Sequence, residues 1–122
     1  MKLKKAIFIF VILICYNTVY AAITANKIIA YPVPFNPNKN TLTIGTQGTP
    51  LTGYSAKISI YDINGDLVIQ KSATNASNTK WNGRNKSGRV VKPGLYILKV
   101  EIENISDPSE YIKKIIRILI DY

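Results

Sequence analysis

The chain contains no histidine, one cysteine (Cys15), one tryptophan (Trp81), and seven acidic residues against sixteen Lys and Arg. Without histidine, the commonest general base and the commonest nitrogen ligand for metals are both missing. Ser–His and Cys–His nucleophilic pairs are therefore excluded. One cysteine excludes an internal disulfide and any multi-cysteine metal site. The longest apolar run, Ala6 to Cys15, is ten residues. A helix crossing a bilayer of ~30 Å needs roughly 20. At 122 residues there is room for one domain. With 47% hydrophobic residues, seven Gly and six Pro, the chain is neither collagen-like nor of low complexity.

Lys2, Lys4 and Lys5 precede the apolar run, and Val19-Tyr20-Ala21 follows it after polar Asn17 and Thr18. A basic start, a short apolar stretch and small residues near a cut site are the anatomy of a secretory signal peptide. We expect residues 1–21 to be this leader, with the cut after Ala21 or Ala22, and residues 22–122 to form the domain. An uncleaved N-terminal anchor is the competing reading. Removing those three lysines leaves 13 cations, seven anions and a net charge of +6. The remainder has no cysteine, so it would enter an oxidising compartment without using disulfides.

The rest of the chain reads as strands and tight turns. Ile28 to Tyr31 is a short β-rich run, closed by three prolines that bar a helix. Thr41 to Ile44 alternates polar and apolar. Ile58 to Ile63 runs into Asn64-Gly65, a pair suited to a two-residue type I′ turn. By that count Ile60 opposes Ile69, and Tyr61 opposes Val68 on the reverse face. A short strand carries Trp81. In Leu95–Ile105, Tyr96, Leu98, Val100 and Ile102 share one face. In Tyr111–Ile120, Ile112, Ile116, Ile118 and Ile120 share one face. About seven strands and no helical periodicity predict an all-β fold, an antiparallel immunoglobulin-like β-sandwich. Thr41–Ile44 and Tyr111–Ile120 are the expected edge strands, with Lys113, Lys114 and Arg117 guarding the latter.

Five ordered pieces carry a resemblance: Tyr31-Pro32-Val33-Pro34-Phe35-Asn36-Pro37, Ile60-Tyr61-Asp62-Ile63-Asn64-Gly65, Trp81-Asn82-Gly83-Arg84-Asn85, Ser87-Gly88, and Pro93-Gly94-Leu95-Tyr96. Over residues 28–120 the chain resembles the immunoglobulin-like domain of the flagellar hook-capping protein. It is also similar to the related C-terminal sorting domains of type IX secretion. The tryptophan loop points toward the first family, and the basic-apolar finish Lys113-Lys114-Ile115-Ile116-Arg117 suits the second. Val33 departs from the usual Tyr-Pro-Asn-Pro, and Asn82 and Asn85 stand where aspartates are usual. The resemblance implies a folding module, in which Tyr31, Pro32, Pro34, Asp62, Asn64, Gly65, Trp81, Gly83, Gly88, Gly94 and Tyr96 have structural roles.

Asp62, Asn64 and Asp66 lie at alternate positions, like the start of a calcium loop, but Leu67 and Ala73 stand where glycine and a bidentate glutamate are required. A hairpin turn explains the same residues. Lys80, Arg84, Lys86, Arg89 and Lys92 form a basic patch without an acid. Such a patch is a solvated loop or a contact for an anionic envelope polymer or lipid surface. Export argues against nucleic acid. No cofactor and no catalytic residue is expected. The reading is an exported, non-catalytic module that acts through protein contacts at the cell surface. The alternatives are a type IX sorting or anchoring domain without its cargo, or a weak calcium- or carbohydrate-binding module. The expected location is secreted, periplasmic or cell-surface.

Overall fold

The computed structural model describes residues 27–46, 52–74, 76 and 78–122. The proposed leader and its cut site lie outside the described residues. Seven strands are present: β1 (Ile28–Tyr31), β2 (Leu42–Thr46), β3 (Tyr54–Tyr61), β4 (Leu67–Ala73), β5 (Asn78–Trp81), β6 (Gly94–Asn104) and β7 (Tyr111–Ile120). They form a three-stranded sheet in the order β1-β2-β5 and a four-stranded sheet in the order β4-β3-β6-β7. All these pairings are antiparallel. The chain passes between sheets after β2, β4 and β5, which closes an immunoglobulin-like sandwich.

Period-two patterning sets the faces. Ile28, Leu42, Ile44 and Trp81 from the small sheet meet Ile58, Ile60, Leu98, Val100, Ile102, Ile118 and Ile120 from the large one, all essentially inaccessible. Each such side chain contributes roughly 1.5–3 kcal/mol on burial. The faces read for β6 and β7 are those observed. Lys99, Glu101 and Glu103 lie on the outer face of β6, half-buried rather than free.

Two expectations are corrected. The strand read at Thr41–Ile44 is the centre of its sheet, paired by β1 and β5, and not an edge. Its polar residues alternate because only one face meets the core. The β3–β4 register also differs. Ile60 does oppose Ile69, but Tyr61 opposes Leu67. The turn has three residues, Ile63-Asn64-Gly65, between Asp62 and Asp66. The Asp62 N–H donates to Asp66 O, and the Gly65 N–H donates to Asp62 O, both at 3.0 Å. Gly65 takes φ +87°, as expected for a turn closed by a left-handed residue. A bulge then absorbs the extra residue, Val68, and restores Ile60 to Ile69.

Candidate functional site

The motif pieces converge around Trp81. Its indole is fully buried, and Nε1–H donates to Arg84 O at 2.9 Å. The Phe35 ring lies 5.8 Å away, tilted by 47°. Tyr96, from the opposite sheet, meets Trp81 edge-on at 6.5 Å. These are the separations at which aromatic pairs attract through their ring quadrupoles. The proline segment is thus seated on the tryptophan loop. Gly83 takes φ +78°, and a Cβ there would lie 2.5 Å from Pro37 Cβ. Phe35 also joins the large sheet. Its N–H donates to Leu119 O at 2.8 Å, and its carbonyl accepts from Asp121 N–H at 3.0 Å. The Phe35–Ile120 bridge is parallel. Sequence reasoning placed Phe35 in the proline motif but gave it no role, because a lone aromatic among prolines carries no periodic signal.

Two turns share one design. Asp62 Oδ1 accepts from the Asn64 and Asp66 N–H groups at 2.9 and 3.0 Å. Asn85 Oδ1 accepts from the Ser87 and Arg89 N–H groups, both at 3.0 Å. In each, the third residue after the Asx is a left-handed glycine, Gly65 or Gly88. Such side chains hold a turn by replacing a backbone acceptor. Asp62 Oδ1 and Asn85 Oδ1 are therefore committed to the fold. Among the described residues, no three or more Asp, Glu, Cys or His gather as a metal site would require.

Between these turns lies an open depression of about 430 Å³. Its less exposed lining, the floor, is apolar, made by Val68, Val90, Val91 and Tyr96, with Leu67 exposed beside it. The bulge matters here, because Val68 enters this floor and its carbonyl accepts the Lys86 N–H at 3.2 Å. Lys86, Arg89 and Lys92 stand on the rim with Asn85, Ser87 and Asp62. The basic patch read from sequence is thus divided. Lys86, Arg89 and Lys92 share one concavity. Arg84 is turned back to donate to Gly88 O at 2.8 Å, and Lys80 projects from exposed positions of β5. Neither lines the depression. The Tyr96 hydroxyl donates to Lys92 O at 2.7 Å. Burial, then electrostatic interaction with Asp62 and with Tyr122, pushes this phenol above its ordinary range. Of the other motif residues, Tyr31 is exposed at the end of β1. Pro32 and Pro34 sit in the exit that follows. Gly94 starts β6.

A family model described as a secretion system C-terminal sorting domain matches residues 30–118. No curated protein and no solved structure matches the chain. The match runs from within β1 to within β7 and takes in Phe35, Trp81 and Tyr96. Kinship with the hook-capping domain rests on the motif resemblance alone.

Proposed function

Because the chain belongs to the secretion system C-terminal sorting domain family, we propose that its folded domain is a type IX secretion address, read by protein contacts and without chemistry of its own. The observation that carries this reading is the extent of the family match. It covers residues 30–118, which include residues of all seven strands. An address of this kind works through shape, which the aromatic cluster and the two capped turns hold rigid. The chain is accordingly an exported protein destined for the cell surface. The broader reading, a non-catalytic module acting through protein contacts there, contains sorting as its specific case.

The test is a fluorescent protein inserted between Ala22 and Ile23 of the full chain, expressed with and without a type IX machinery. We expect fluorescence in the medium or on the cell surface only when the machinery is present. Equal retention in the periplasm of both strains would refute the proposal.

A further inference from the structure

The depression between the β3–β4 turn and the tryptophan loop combines two features that an address alone does not require. Its rim carries three exposed cations, Lys86, Arg89 and Lys92. None of their charged groups forms a side-chain hydrogen bond or ion pair among the described residues; the salt bridge found there joins Lys99 to Glu101. The one acid on the rim is Asp62, whose Oδ1 is held by two backbone donors. The floor, by contrast, is apolar. A volume of about 430 Å³ falls within the roughly 300–1,000 Å³ typical of ligand sites.

The cations are also held on a prepared frame. Asn85 caps its own turn, Arg84 ties down Gly88, and Val91 N–H donates to Gly83 O at 2.9 Å. Little backbone order remains to be imposed on binding, which lowers the entropic cost of association. The frame argues against an extended peptide. The Asn85, Lys86 and Gly88 N–H groups are already bonded to Arg89, Val68 and Asn85 carbonyls, so this rim offers little ladder for a strand. Recognition must come from side chains: cations for negative substituents, and an apolar floor for a ring with a C–H face. We infer that this depression binds an anionic polysaccharide, a sugar chain bearing carboxylate or phosphate groups. The inference goes beyond the sorting reading and stands on binding alone.

The test measures binding of the purified 122-residue chain to polygalacturonate and a phosphorylated dextran. Neutral dextran, poly-glutamate and inorganic phosphate are the comparison probes. Two triple variants are compared: Lys86→Gln/Arg89→Gln/Lys92→Gln on the rim, and Lys27→Gln/Lys39→Gln/Lys80→Gln at exposed positions away from it. Both remove three charges, and thermal melting checks that both fold. Anionic glycans should bind the unaltered protein and weaken at least tenfold in the rim variant, with less than twofold change in the other. Neutral dextran should not bind, and poly-glutamate and phosphate should bind at least tenfold more weakly. Equal losses in the two variants would reduce the effect to net charge. Poly-glutamate binding as tightly as the glycans, or no glycan binding at low ionic strength, would overturn the inference.

Discussion

A Cβ on Gly83 would meet the Pro37 side chain at 2.5 Å, and the residue already sits at φ +78°. Gly65 has a similar φ of +87° but open space around its missing Cβ. The pair separates two costs. Left-handed backbone alone costs an L-residue about 1–2 kcal/mol. A clash with packed atoms adds about 1–3 kcal/mol. Urea unfolding should therefore show Gly65→Ala destabilised by about 1 kcal/mol and Gly83→Ala by at least about twice that. Thr79 offers the opposite sign. It points into the core from β5, and its hydroxyl is buried without a hydrogen-bond partner among the described residues. An unbonded buried hydroxyl costs about 1–3 kcal/mol in mutational series. Thr79→Val keeps the shape and removes the penalty, so the urea midpoint should rise by the equivalent of about 1 kcal/mol. These residue-level roles were only partly legible in the sequence. Gly83 was readable as a turn glycine. Its neighbour Pro37 was not, because nothing local ties the two segments together.

At the scale of elements, β6 and β7 are joined by more than their ladder. On the outer face the Tyr111 hydroxyl donates to Glu101 Oε2 at 2.8 Å, and Lys99 Nζ lies 3.4 Å from Glu101 Oε1. The Tyr111 hydrogen bond, helped by Lys99, holds the Glu101 carboxyl below the usual carboxylate range against the opposing effect of desolvation. The same bond holds the Tyr111 phenol above its ordinary value. The consequences for stability have opposite signs at the two ends of the pH scale. The folded Glu101 binds its proton less readily than the unfolded one. Its contribution is present above the ordinary carboxylate pKa and lost as pH falls through the lowered one. The Tyr111 contribution is present below its ordinary pKa of about 10 and lost as pH rises through the raised value. Glu101→Gln should flatten the loss of stability between about pH 5 and 3 relative to the unaltered protein, and Tyr111→Phe should flatten both limbs. Unfolding curves across pH measure this directly. The strand itself is integral. Ending the chain after Glu110 removes Ile118 and Ile120 from the core and deprives Phe35 of its backbone partners. We expect that truncation to lose cooperative unfolding, read by far-ultraviolet circular dichroism. The faces of β6 and β7 were legible because alternation is local. The β3–β4 register was not, because Asn64-Gly65 suits a two-residue turn as well as the end of a three-residue one. Only the bulge at Val68 distinguishes them.

For the molecule as a whole, the fold class followed from strand patterning and turn residues, and the two sheets bear it out. The candidate site was half visible. Its cations were readable as a cluster, but the division of that cluster was not. Lys80 and Arg84 leave the depression because β5 alternation exposes one and the Gly88 carbonyl captures the other. The apolar floor depends on a bulge and on loop packing, which composition does not encode. Function followed a similar course. The motif pieces were legible as a resemblance, and the family match over residues 30–118 is what supports the sorting proposal. The account therefore rests on the folded domain acting as an export address. The most direct measurement is the fraction of an inserted cargo that added protease can reach on intact, type IX-competent cells. The account predicts that most of the cargo is accessible with the native domain. It also predicts that little is accessible when Leu98→Asp disrupts the core while residues 1–21 are untouched. Equal accessibility with the native and disrupted domains, or none with either, would contradict it.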